Sequence, residues 1–303
     1  MKERIDGSAA AGADLQETEA VRTFAEHREL LFAIAYRMLG RAADAEDVVQ
    51  DAWLRWANAE REAVRAPRAF LVRVTTRLAI DRLRRLKARR ETYVGSWLPE
   101  PVLTGPDVAE EVELAESVSM ALLVVLETLS PLERAVFVLH EVFALTYAEI
   151  GETLGRGEAT VRQLGHRAQD HVHARHARYT TDQQMHQQVT ERFLTACTTG
   201  DIPGLMSVLA PGVTLVADGG GRAPAPSRPI EGADKVARFL AAVIERELAS
   251  GLRIVRMDVN GGPGFVAVSG TAPVATMTFD VADGRVQAIY LVANPDKLTA
   301  VRM

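Results

Sequence analysis

Arg162, Gln163 and His166 stand within five residues of one another in a segment whose neighbours Val161, Leu164, Ala168 and Val172 recur at spacings of three and four. That apolar spacing buries one face of a helix, so the three polar side chains point outward. An arginine can donate two hydrogen bonds to guanine and a glutamine can pair with adenine through two, which makes this face chemically suited to reading base edges in a major groove. Such a face has to be held at a fixed angle by the elements before it. Ser130-Pro131-Leu132-Glu133 pairs an N-cap with a proline at the first helical position and a glutamate three after the cap; Thr146-Tyr147-Ala148-Glu149 repeats this opening without the proline. Gly155-Arg156-Gly157 then breaks the chain before a further helix near Glu158, giving a helix, a glycine turn and a helix from Ser130 to Val172.

A second constellation lies upstream. Asp44, Asp47, Gln50 and Asp51 give one helix an acidic and amide face suited to a basic partner, while Val48, Ala52 and Trp56 form its inner stripe. Val21, Phe24, Leu30, Leu31, Ile34, Ala35 and Met38 mark the helix before it, which Gly40 closes. From Arg61 to Glu91 eleven basic residues face three acidic ones, in a chain whose net charge is -5. A basic stripe in an acidic protein suits the phosphate backbone locally without coating nucleic acid indiscriminately. Then comes Trp97-Leu98-Pro99-Glu100-Pro101. Its prolines force an extended path, and Trp97, Leu98 and Val102 are too apolar for an idle linker, so they are expected to dock on another surface.

These segments, in this order, resemble the extracytoplasmic-function class of bacterial RNA polymerase sigma factors, which carry a sigma-2 and a sigma-4 domain with none between. The resemblance implies that Asp44, Asp47, Gln50 and Asp51 bind polymerase. It assigns Arg73, Thr76, Arg77, Arg84 and Arg85 on the arginine-rich helix to melting and reading the -10 element. Arg162, Gln163, His166 and Arg167 would read the -35 element. The partners implied are core RNA polymerase, through its β′ and β subunits, and promoter DNA. Two departures stand out: Gly157 replaces the family's usual serine or threonine and weakens a cap, and Leu164 stands where arginine is common.

Within that class the chain is similar to the subgroup with a SnoaL-like C-terminal extension. The residues that carry this are Trp97, Leu98, Pro99 and Pro101 in the linker, Asp218, Gly219 and Gly220 in the C-terminal region, and Asn294, Pro295, Asp296 and Lys297 near the end. They are expected to form an interdomain regulatory contact.

The expected organisation is multidomain: a disordered N-terminus over 1–14, an all-α sigma-2 domain over 15–92, a linker over 93–116, an all-α sigma-4 helix-turn-helix domain over 117–178, and an α+β SnoaL-like cone-shaped domain over 183–303. In the last, helices are expected from about Met185 to Thr198, after Asp201 and over Asp234 to Leu248. Strands are expected at Val213 to Ala217, Leu252 to Val259, Phe265 to Ser269, Ala275 to Val281 and Val286 to Val292, with Asp283-Gly284 as a hairpin turn.

Other chemistries are weaker. His171, His173 and His176 lack a completing ligand set, so no metal and no cofactor are expected. Asp218, Asp258, Asp280 and His186 include no pair spaced for acid-base catalysis, and no enzyme is expected. A single cysteine, Cys197, suits a buried thiol in a reducing cytoplasm. The longest apolar run, Met120 to Leu126, is too short to span a membrane. The competing expectations are a helix-turn-helix regulator with a small-molecule-sensing domain, which would not need the acidic helix, and a SnoaL-like enzyme with a helical appendage. The C-terminal fold leaves room for a small-molecule ligand in either case.

Overall fold

The computed structural model describes residues 3–60, 64–90, 93–104, 119–175 and 183–301. By internal contacts it divides into two compact units, one of residues 1–86 with 130–168 and the other of 87–129 with 169–303.

The first unit is helical. Helix α1 (Glu3–Leu39) starts well ahead of the expected Leu15, and its backbone is helical where a disordered N-terminus was expected. Gly40 closes it at φ 69°. Phe24, Leu31, Ile34, Ala35 and Met38 are buried, whereas Val21, expected in the same stripe, is 50% exposed. Helix α2 (Ala42–Ala57) packs Ala45, Val48, Val49, Ala52 and Trp56 inward. Trp56 Nε1 donates to Ala20 O at 3.0 Å, which satisfies the one polar atom of a buried indole. Helix α3 (Pro67–Arg90) completes this part.

The helix-turn-helix follows its capping grammar. In α5 (Pro131–Phe137), which comes after the short α4 (Met120–Leu126), Ser130 and Glu133 form a reciprocal capping box. Thr146 and Glu149 form the same box on α6 (Tyr147–Leu154). Gly155 ends α6 in the left-handed region at φ 65°, and Arg156 N donates to Gly151 O at 2.9 Å, a closure that favours glycine at the turn. Helix α7 (Glu158–Arg175) follows. Two features were not foreseen. A π-helical turn over Val138–Val142 extends α5, and the fully buried Arg134 sends Nη1 to Met38 O at 2.6 Å. Burial pushes its guanidinium down to about 9. Arg37 lies over the Phe143 ring at 5.2 Å, so cationic side chains fasten this pair of helical parts from both sides.

The second unit is α+β. Helices α8 (Gln183–Thr199) and α9 (Ile202–Val208) precede strand β1 (Leu209–Asp218). The short β2 (Ile230–Glu231) leads to α10 (Ala233–Ala249), then β3 (Arg253–Val259), β4 (Gly262–Ser269), β5 (Ala272–Ala282) and β6 (Arg285–Val292). The sheet order is β2-β1-β6-β5-β4-β3. Both residues of the Asp283-Gly284 turn have positive φ, as a tight hairpin requires. Strands β1 and β6 pair in parallel and the other neighbours antiparallel, so the sheet is mixed. The long connection between them, through β2, α10 and then β3 to β5, permits it.

Each face of the sheet has its own core. One face packs Phe265, Phe279 and Ile289 under α8 and α10 through Val189, Phe193, Val236 and Leu240. The other packs Val259, Val266, Tyr290 and Val292 against Leu98 of the linker and Met120 and Ala121 of α4.

Candidate functional site

On α7 the inner stripe Val161, Leu164, Ala168 and Val172 is buried, and Arg162, Gln163, His166 and Arg167 are all exposed. Arg162 pairs with Glu158 and lies 5.9 Å from the Tyr147 ring centre. Arg167 Nε is 3.6 Å from Glu133 Oε1. Pairs this exposed contribute about 0–1 kcal/mol each and can exchange for a phosphate or a base edge. Gly165 allows α6 to sit close behind this face, since a Cβ there would meet the Tyr147 ring at 2.8 Å. The weak cap is visible too: Gly157 O accepts from Val161 N at 3.2 Å, but no side chain is present to bond the first turn.

Helix α3 is less uniform than its composition. Arg73, Arg84 and Arg85 are exposed. Arg73 lies over Phe70 at 5.5 Å, and Arg84 reaches Asp81 at 3.2 Å. Thr76 is fully buried, so its hydroxyl is not presented to a nucleic acid in this state. Arg77 is directed to the helix-turn-helix, with Nε donating to Thr153 O at 3.0 Å. Arg61 lies outside the described residues.

The acidic face of α2 also divides. Asp47, Gln50 and Asp51 are exposed, but Asp44 is 4% exposed. Asp44 sits one turn ahead of Val48 and therefore on the buried stripe; the expectation of an exposed docking carboxylate there is corrected. Arg82 Nη2 reaches Asp44 Oδ1 at 2.5 Å and Asp47 Oδ2 at 2.9 Å, which ties α3 to α2. The bond to Asp44 raises the arginine above its ordinary value.

The densest constellation joins the linker to the C-terminal sheet. Asp218, fully buried at the end of β1, accepts from Leu98 N at 2.8 Å and Lys297 Nζ at 2.7 Å on one oxygen. Its other oxygen accepts from Tyr93 OH at 2.6 Å and Gly220 N at 3.0 Å. Lys297, 3% exposed, also donates to Leu98 O and lies 4.0 Å from the Trp97 ring centre and 5.1 Å from that of Tyr93. The linker backbone at Leu98 thus has its N–H and its C=O claimed by the two halves of one buried ion pair.

Asn294 fixes the frame. Its Nδ2 donates to Tyr93 OH at 2.8 Å, and its Oδ1 accepts from Asp296 N at 3.0 Å across the turn that contains Pro295. Gly220, at φ 59°, passes so close to Asn294 that a Cβ would lie 2.2 Å from Nδ2. Gly219 is packed against Ala223 O in the same turn, and Asp296 pairs at the surface with Arg222. Pro99, Glu100 and Pro101 are buried. Beyond them Val102 N donates to Asn260 Oδ1 at 3.3 Å, Asn260 N returns a bond to Val102 O at 2.8 Å, and Leu103 bridges Val259.

The expected linker, Asp218 and Asn294–Lys297 residues therefore meet. Tyr93 and Asn260 were missed, as was Thr104, whose Oγ1 accepts from Gly261 N at 3.1 Å. The Asn260-Gly261 dipeptide, with both φ values positive, was a hairpin signal that pointed to Asn260. Of the candidate acid-base residues, Asp218 is engaged by the lysine and the linker, and burial lowers His186 to about 4.

A promoter-recognition protein is the class that these helical parts define. Residues 23–90 match the family Sigma-70 region 2, and residues 119–171 match Sigma-70, region 4. The ECF RNA polymerase sigma factor SigJ of Mycobacterium tuberculosis is 41% identical over 292 residues, covering 92% of this chain and 93% of that one. A probable ECF sigma factor, SigI, from the same species is 32% identical over 279 residues, with 91% and 93% covered. The crystal structure of M. tuberculosis SigJ superimposes with a TM-score of 0.72 at 39% identity, covering 94% of this chain and 98% of that one. The chain belongs to the extracytoplasmic-function sigma factors, which direct RNA polymerase to promoters in transcription initiation. It binds core polymerase and promoter DNA as that family does. The region 4 match begins at residue 119, so it takes in α4, the helix that packs on the C-terminal sheet.

Proposed function

We propose that this sigma factor is governed by its own C-terminal domain, which holds the linker through Asp218 and Lys297 and holds α4 on the outer face of the sheet. The observation that carries this reading is the double claim on Leu98, N–H to Asp218 and C=O to Lys297. A linker held at one residue from both sides, with Trp97 covering the ammonium, has its path prescribed by the domain that follows. Asp47, Gln50 and Asp51 present the surface for polymerase β′, and region 4 meets β. Arg73, Arg84 and Arg85 meet the -10 region; Arg162, Gln163, His166 and Arg167 meet the -35 region. The factor works in the cytoplasm, where polymerase is; no described helix is long and apolar enough to cross a membrane.

The test is transcription by purified core polymerase with the full chain and with its Trp97→Ala and Lys297→Met forms. Both substitutions should change promoter output while the helical unit keeps its melting behaviour. Unchanged output from both would remove the regulatory reading and leave the family function standing.

A further inference from the structure

A cavity of about 270 Å³ lies in the C-terminal unit between α8, α10 and the sheet face that they cover. Its walls are Phe193, Phe239, Val243, Phe265 and Met277, with half-buried Ala275 at the side. Charged groups reach it through Arg246 and Glu247, which are partly exposed and bonded to each other at 2.7 Å. Cys197 also faces it, and burial pushes that thiol up to about 12, so it stays protonated and neutral. A charged guest would lose its hydration against these walls and find no unpaired counter-charge; a neutral apolar one would bury its surface. A cavity of about 150 Å³ accommodates benzene, so this one has room for roughly two fused rings.

The cavity also touches the latch that Asp218, Lys297 and Asn294 form on the linker. Ala223 and Pro224 on its wall continue the Asp218–Gly221 turn, where Ala223 N donates to Gly219 O at 3.0 Å. Ala293, also on the wall, donates its N–H to Asp218 O at 2.8 Å and precedes Asn294.

From this we infer that the cavity binds an uncharged, lipophilic small molecule and that its occupancy shifts the hold on the linker through the two wall segments shared with Asp218 and Asn294. The coupling rests on the regulatory reading above; the binding site does not. A ligand moves the linker only by as much as it binds the latched and released states differently.

The test uses the full chain with naphthalene and with naphthalene-2-sulfonate, which adds a negatively charged group to the same rings. Expected are one naphthalene per chain by calorimetry, at least tenfold weaker binding of the sulfonate, and at least tenfold loss of naphthalene binding in Val243→Phe and in Ala275→Leu. Saturation with naphthalene should change amide exchange over residues 93–103 at least twofold. Equal binding of the two probes, or naphthalene binding untouched by either substitution in a folded variant, overturns the site. Specific binding with unaltered exchange at 93–103 overturns the coupling. Failure of the regulatory reading is separate: Trp97→Ala and Lys297→Met would then leave transcription unchanged, whatever naphthalene does.

Discussion

The outer face of α7 and the Asp218–Lys297 latch use the same chemistry, cationic side chains against carboxylates, in opposite settings. Arg162 and Glu158 have side chains 56% and 49% exposed; Lys297 and Asp218 have 3% and 0%. Water and salt make the first pair exchangeable, as a face that must give its donors to DNA requires. The second pair has lost its hydration and regains stability from four partners on Asp218 and two aromatic rings around Lys297. An ion pair is therefore a recognition element or a structural lock according to what surrounds it.

The comparison breaks most sharply at Asp218. Asp218→Ala leaves Lys297 buried without its counter-charge, and thermal or urea unfolding should show a loss of about 3–5 kcal/mol in the C-terminal unit. Pairing it with Lys297→Met should cost less than the two single losses combined, because no orphaned charge remains.

The next effect is on acid stability. His186 is lowered from 6.5 to about 4 by burial, and the ring packs near Gly262. The unfolded chain binds a proton near pH 6.5 that the folded chain refuses, so the stability that this residue contributes is present above pH 6.5 and lost as pH falls from there toward 4. The loss is roughly 3 kcal/mol by the linkage relation. Acidification across that range should cost the wild type roughly 3 kcal/mol more stability than it costs His186→Gln, read from unfolding curves of both.

On the exposed side, Arg162→Ala should weaken discrimination at one -35 position by about 1–3 kcal/mol, measured by competition binding of promoter variants, with little change in melting temperature. Raising salt should weaken promoter binding steeply and leave the latch intact. The smallest effect is at Gly157, where a Cβ would meet nothing within 4 Å. Gly157→Ser should stabilise the helical unit by a few tenths of a kcal/mol on thermal melting.

Much of the fold was legible because its signals are local. Ser130 with Glu133 and Thr146 with Glu149 announce two helix starts through residues three apart, and both capping boxes are present. Asp283-Gly284 announces a hairpin in two residues. Arg134 was not legible, since nothing in its neighbourhood distinguishes it from a surface arginine; only the carbonyl of Met38 does. Asp44 misled for the same reason. Its acidic neighbours suggested one face, and its burial was decided by helical phase and by Arg82 on another helix.

The sequence by itself determined the two capped helix starts at Ser130 and Thr146, the glycine turn, the Asp283-Gly284 hairpin and the outward phase of Arg162, Gln163, His166 and Arg167. Each of these depends on hydrogen bonds or apolar spacing within a few residues. Tertiary structure alone decided which charged residues became locks. Asp218 and Lys297 are 79 positions apart, and Tyr93 and Asn294 are 201 apart. Whether such groups are solvated or sealed depends on the desolvation produced by the whole C-terminal unit folding around the linker, which no local pattern encodes.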